Sequence, residues 1–85
     1  NFPNPFNPET TLRYGIPVES EITLIIYDIG GNTVKTIKSG SIAAGWYSES
    51  WNGLDKSNRP VAAGTYLVEL RAGSYSKTIK ILYLK

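Results

Sequence analysis

The chain has no cysteine, no histidine and no methionine among its 85 residues. Without cysteine it can form neither a disulfide nor a thiolate metal site. Without histidine it lacks the usual general base and the commonest zinc ligand. The absence of methionine leaves no initiator residue, so we expect a fragment of a longer protein. A domain this small, without covalent or metal staples, must rely on packing and turn chemistry.

Charge is also sparse. Nine basic residues oppose seven acidic ones, for a net charge of +2, and the basic residues are scattered along the chain. Nucleic-acid recognition needs a basic face or stripe, so we expect no nucleic-acid partner. No run approaches the roughly 20 apolar residues of a membrane span. The length corresponds to one domain, residues 1–85, with any export leader upstream of it.

The seven carboxylates do not form a catalytic pattern. A glycosidase needs two of them on either side of one bond, whereas here they are spread along the chain. Asp28 and Asp55 lie in turn segments, where a carboxylate oxygen accepts backbone amides. Asp55 is the one carboxylate of an oxygen-rich loop with Asn52, Ser57 and Asn58, so a turn network is favoured over calcium. We therefore predict no catalytic residue, no metal and no cofactor.

The first eight residues, NFPNPFNP, carry three prolines. Proline fixes φ and biases the preceding residue toward extended geometry, so an extended lead-in is predicted. Phe2 and Phe6 are expected to close an open end of the fold.

Beyond the lead-in, apolar residues alternate with a period of two, which predicts β-strands. The first strand ends at Pro17, the second (21–27) is apolar enough on both faces to be central, and 28–32 form a hairpin turn. In the returning strand, 34–38, Val34 and Ile37 are out of phase, which predicts a bulge or an early end. Residues 40–45 are expected to be a link anchored by Ile42. Further strands are predicted at 46–51, 66–71 and 76–84.

Strand 46–51 has aromatic residues on both faces. Tyr47, Glu49 and Trp51 share one face and Trp46 lies on the other, so one of Trp46 and Tyr47 should be exposed. Pointing Trp51 inward takes Glu49 inward too, which is unfavourable unless its carboxylate finds a partner or lies at the rim. Exposed aromatic residues can also form a sugar-binding platform, so Trp46 and Tyr47 support an alternative carbohydrate-binding role.

The predicted fold is an all-β, immunoglobulin-like antiparallel β-sandwich of six or seven short strands. No stretch shows a 3.6-residue apolar repeat, and turn signals recur about every 8–12 residues. The two covered inner faces are expected to hold the apolar side chains Leu12, Tyr14, Ile22, Leu24, Ile26, Val34, Trp51, Tyr66, Val68, Leu70, Ile79 and Ile81.

Several blocks, kept in order, carry a family resemblance. They are NFPNPFNP, TTLRY, YDIGG, WNGLD, GTY and the final KILYLK. Together they resemble the C-terminal sorting domain of type IX secretion cargo in Bacteroidetes and relatives. The middle blocks are also similar to the immunoglobulin-like domain of the flagellar hook-capping protein.

The resemblance implies a non-catalytic module at the end of a larger secreted protein. Its partners would be an outer-membrane translocon, a surface sortase and an upstream catalytic domain in the same chain. The destination would be the cell surface or the medium, through the periplasm and outer membrane, and Lys85 would be the native C-terminus. The recognition residues that carry over are Asn4, Pro5, Gly64, Tyr66, Lys80, Ile81 and Lys85.

Three positions depart from the family pattern. Glu49 stands where an apolar residue is usual, Asn58 replaces a glycine, and the pair Gly30 and Gly31 should loosen the hairpin. Asparagine tolerates the left-handed conformation, so the corner should survive. A structural spacer remains a further alternative, and self-association through exposed edge strands stays open.

Overall fold

The computed structural model describes residues 10–85. The predictions for residues 1–9, including Asn4, Pro5 and the two phenylalanines, lie outside the described residues and stay predictions. The described residues form six strands and no helix. The strands are β1 (Thr10–Ile16), β2 (Ser20–Asp28), β3 (Thr33–Ile42), β4 (Gly45–Trp51), β5 (Gly64–Ala72) and β6 (Tyr75–Tyr83).

The larger sheet has four antiparallel strands in the order β3-β2-β5-β6. β2 is central, as its two apolar faces predict. Its inward residues Ile22, Leu24 and Ile26 are at most 2% exposed. β6 lies at one edge of this sheet and pairs only with β5 among the described strands.

Within residues 10–85, the smaller sheet consists of β1 and β4. They pair antiparallel over their whole length, from Thr10 opposite Trp51 to Ile16 opposite Gly45. β1 ends immediately before Pro17, as predicted, because proline cannot donate to a ladder. The inward side chains of this sheet join those of the larger sheet in one apolar core, so the predicted two-layer sandwich is confirmed.

β3 contains the predicted irregularity but does not end early. The register with β2 shifts twice, so that Ile37 and Val34 each fall between paired positions. The strand then continues to Ile42, which corrects the expectation that 40–45 is a link. Gly40 takes a φ of +125° within the strand, opposite Ile22. Only Ala43 and Ala44 separate β3 from β4.

The hairpin between β2 and β3 is held by one carboxylate. Asp28 Oδ1 accepts hydrogen bonds from the amides of Gly30 and Asn32, both at 2.9 Å. Of the glycine pair, only Gly31 has a positive φ, +87°. The hydrogen bonds to Asp28 hold the pKa of its carboxyl below the usual range, Asn32 contributing most. The turn is therefore fastened by its side chains despite the two glycines.

The core matches most of the predicted inner-face residues. Ile79 is the exception, because it is 46% exposed. Leu70 and Ile81 are partly buried against the core. The buried apolar residues are Leu12, Tyr14, Ile16, Ile22, Leu24, Ile26, Val34, Trp51, Tyr66, Val68 and Tyr83. Ile16 and Tyr83 are buried in addition to the predicted residues.

Candidate recognition surfaces

The corner between β4 and β5 is built around Trp51, which is 1% exposed. Its indole Nε1 donates a hydrogen bond to the Leu54 carbonyl at 2.9 Å. The backbone of Val61 donates to Gly53 O at 2.9 Å, and Leu54 forms an isolated bridge with Pro60. The corner is thus a closed loop attached to a core side chain.

Asp55 organises the middle of this corner. Its Oδ1 accepts hydrogen bonds from the amides of Ser57 at 2.8 Å and Arg59 at 3.0 Å. These bonds, that from Arg59 first, hold the pKa of its carboxyl below the ordinary value. Asn58 has a φ of +62°, the left-handed conformation that its replacement of glycine predicted. Residues 10–85 contain no group of three or more potential metal-ligating side chains. The turn network is therefore the observed arrangement at Asp55.

Tyr66, one of the implied recognition residues, is buried and structural. Its hydroxyl donates to the Ala62 carbonyl at 2.6 Å, and its ring lies edge-on to Trp51 at 5.2 Å. Burial is the main cause that raises the pKa of this hydroxyl. Gly64, two residues earlier, has a φ of +149° and lies opposite Tyr83. Both residues shape the join between the corner and β5.

The implied residues of the last strand separate into two environments. Ile81 points inward and is partly buried, while Lys80 and Lys85 are exposed. Tyr83 is 4% exposed and its ring lies 5.1 Å from that of Trp51. Among the implied residues within 10–85, Lys80 and Lys85 are exposed, Gly64 and Ile81 are partly exposed and Tyr66 is buried. The recognition role of all five stays a prediction.

Glu49 has the partner that an inward carboxylate requires. The hydroxyl of Tyr14 donates to Glu49 Oε2 at 2.9 Å across the β1–β4 ladder. Burial, followed by this hydrogen bond, raises the pKa of Tyr14 well above its usual range. Tyr47 stacks on Tyr14 with ring centroids 5.6 Å apart. The inward assignment of this face is confirmed.

Trp46 is the exposed member of the aromatic pair. It is 88% exposed, whereas Tyr47 is half-buried and donates its hydroxyl to the Ala43 carbonyl at 2.7 Å. The Trp46 ring lies against Gly15 on the neighbouring strand, where a Cβ would come within 2.6 Å of it. A sugar platform formed by both aromatic residues is therefore absent, and Trp46 alone lies on the surface.

A groove that the sequence did not predict opens beside β1. We call it the β1–β6 groove. It has a volume of about 620 Å³. It lies between the inner face of β5 and β6 and the edge of β1 that no strand within residues 10–85 pairs with. Residues from these walls include Arg13, Ile16, Leu70, Tyr75, Lys77 and Ile79.

Two antiparallel sheets that close over one apolar core around Trp51 define a β-sandwich domain of the immunoglobulin-like class. The family model for the FlgD Ig-like domain matches residues 9–76, most of the chain. The chain belongs to this family. The Ig-like fold expected from the sequence is confirmed.

Solved structures agree with this assignment. FlgD from P. aeruginosa is 31% identical, with a TM-score of 0.68, over 87% of this chain and 58% of that protein. FlgD from Xanthomonas campestris, described as a hook-capping protein essential for flagellar assembly, has a TM-score of 0.67 over 89% of this chain and 56% of that one. At 22% identity the second likeness shows the fold alone. The chain thus spans a little over half of either protein. No curated protein matched the sequence, and no described helix is long and apolar enough to cross a membrane.

Proposed function

We propose that this FlgD-like Ig domain is a non-catalytic sorting module, which directs export of a longer protein by type IX secretion. The proposal is supported by the ordered sequence blocks that resemble sorting domains, from the proline-rich opening to the final lysine-flanked strand. Its partners are an outer-membrane translocon and a surface sortase. The upstream catalytic domain in the same chain is the cargo, and the cargo reaches the cell surface through the periplasm.

The observation that carries the proposal is the position of β6. It is an edge strand of the larger sheet, with Lys80 exposed on its outward face. The unpaired backbone groups of an edge strand can be extended by a strand of another protein. Lysine side chains along such an edge also discourage indiscriminate pairing. A receptor with acidic residues beside its own free strand edge would attract these lysine side chains and could pair with the edge.

The test uses the full-length cargo protein with Lys80→Glu and Lys85→Glu, both at exposed positions. Tyr83 is left intact, because it is buried against Trp51 and its removal would destabilise the core. We expect the variant to accumulate in the periplasm. The matched control is Lys38→Glu, an exposed lysine on β3 at the opposite edge of the sheet. Surface display of the cargo is measured by antibody labelling of intact cells. Equal display of the variant and the control would contradict the proposal.

A carbohydrate-binding role is the second candidate, and the 88% exposure of Trp46 favours it. Aromatic faces bind the apolar faces of sugar rings. Pull-down of the domain on insoluble polysaccharide, lost in Trp46→Ala and kept in Leu82→Ala, would support this role. Leu82 is the control because it is a large exposed apolar residue that does not line the groove beside Trp46. The third candidate is a purely structural spacer. In that case the Lys80→Glu and Lys85→Glu substitutions should not change export, and the domain should not bind polysaccharide.

A further inference from the structure

The β1–β6 groove exists because the two sheets have different widths. Among the described strands, the two of the smaller sheet face the four of the larger one, so no described strand lies above part of the inner face of β6. Exposure along that face rises steadily away from Trp51. Tyr83 is 4% exposed, Ile79 46% and Tyr75 56%. The inward face of β6 therefore belongs to the apolar core at its Tyr83 end and forms the floor of the groove at its Tyr75 end.

The wall of the groove is a free strand edge. β1 pairs with β4 on one side, and no described strand pairs with its other side. Residues of both orientations on β1, from Leu12 to Ile16, line the groove, so the groove runs along this edge. The floor is largely apolar, with Leu70 on β5 and Ile79 on β6. A free edge beside an apolar floor fits one extended peptide strand, which would pair with the edge and place alternate side chains on the floor.

The positive charge of the groove determines which extended peptides it would attract. The charged side chains among its lining residues are Arg13 on β1 and Lys77 on β6. No carboxylate lines it within the described residues. Both cations are exposed. A strand carrying carboxylates would be attracted to this rim, and one carrying lysines would be repelled.

We propose that the β1–β6 groove binds an extended segment of a partner protein in which apolar residues alternate with carboxylates. The segment adds a strand to β1, inserts its apolar side chains over Ile79 and carries its carboxylates along the rim of the groove that Arg13 and Lys77 flank. The inference rests on the proposed function, since it makes the groove a second surface through which an export partner holds the domain. The segment has the alternation of a β-strand with one apolar face.

The test is an NMR titration of the ¹⁵N-labelled 85-residue chain with the capped peptide acetyl-Val-Glu-Val-Glu-Val-Glu-Val-amide. We expect amide shifts along β1 and around Lys77, with β3 unaffected. Lys77→Glu should weaken binding several-fold. The matched control is Lys80→Glu, an exposed lysine on the opposite face of the same strand, which should bind as the wild type does. The peptide with lysine in place of glutamate should bind the wild type more weakly than the acidic one.

Three results would overturn the proposal. The first is no shift, or shifts confined to the outward residues of β6. The second is a change of the groove amides with protein concentration alone, which would make a second copy the occupant. The third is a change of the same amides in Phe2→Ser or Phe6→Ser without peptide, which would make residues 1–9 of the chain the occupant. Peptide binding is measured without export. A failure of the binding experiment therefore does not decide the surface-display experiment with Lys80 and Lys85, and a failure of the display experiment does not decide peptide binding.

Discussion

Replacing Gly53 by alanine is expected to be among the most damaging single-methyl changes in the described part of the domain. Gly53 has a φ of +77°, and an added Cβ would overlap the Tyr83 hydroxyl and ring. Tyr83 cannot move aside easily, because it is 4% exposed and packed on Trp51. The left-handed backbone costs an alanine about 1–2 kcal/mol. Overpacking adds about 1–3 kcal/mol, so the expected loss is about 2–5 kcal/mol.

Gly73→Ala separates the two contributions. Gly73 has a similar φ of +61°, but nothing lies within 4 Å of the added Cβ. It should therefore lose only the backbone contribution, about 1–2 kcal/mol. Urea unfolding of both variants, with the slope m unchanged, gives the two free energies directly.

A second readout tests the stated cause. The indole N–H resonance of Trp51 should shift in Gly53→Ala and stay in place in Gly73→Ala, because only the first displaces the Tyr83 ring. The resonance of exposed Trp46 is the internal reference. Equal destabilisation of the two variants, or an unmoved Trp51 resonance in Gly53→Ala, would refute the clash with Tyr83.

Three further predictions concern ionisation and the outer face of the small sheet. The raised pKa of Tyr14 means that the folded state opposes deprotonation of this hydroxyl. The contribution of Tyr14 to the free energy of unfolding should therefore be intact below about pH 10 and decline above that pH. Tyr14→Phe should flatten this decline when the free energy is measured by urea unfolding across the pH range. The lowered pKa of Asp55 means that its carboxylate stabilises the folded state. This contribution to the free energy of unfolding should be intact above about pH 4 and be lost as the pH falls through the folded-state pKa. Asp55→Asn should therefore make Tm less dependent on pH in the acidic range. Gly15→Ala should displace the Trp46 ring and increase its quenching by acrylamide, at a cost of under about 1 kcal/mol because the ring is exposed.

Local patterns predicted each strand and most inward faces, because a strand's side chains alternate whatever it pairs with. The Asp55 network and the left-handed Asn58 were also predictable, since their chemistry acts within a few residues. The partner of Glu49 was not, because Tyr14 belongs to a strand far away in sequence. The continuation of β3 through Gly40 depends on pairing with β2, which overrides the weak strand preference of glycine.

The candidate surfaces were predicted less well than the fold. The aromatic pair 46 and 47 correctly implied one exposed ring, and the structure assigns it to Trp46. The exposure of Ile79 and the β1–β6 groove could not be predicted, since alternation marks a face as apolar without specifying how many strands cover it. The recognition residues implied by resemblance divide between surface and scaffold, a distinction that depends on tertiary packing around Trp51.

The pairing of β1 with β4 has a consequence for how the domain folds. β1 and β4 are separated in the chain by the whole of β2 and β3. β2 and β5, which also pair, are separated by β3 and β4. Contacts of this kind give a high contact order, and such proteins fold slowly because long loops must close before the contacts form. The β5–β6 hairpin is by contrast local and can form early. The strand that carries Lys80 can thus already be paired in this hairpin before the two sheets close over the core.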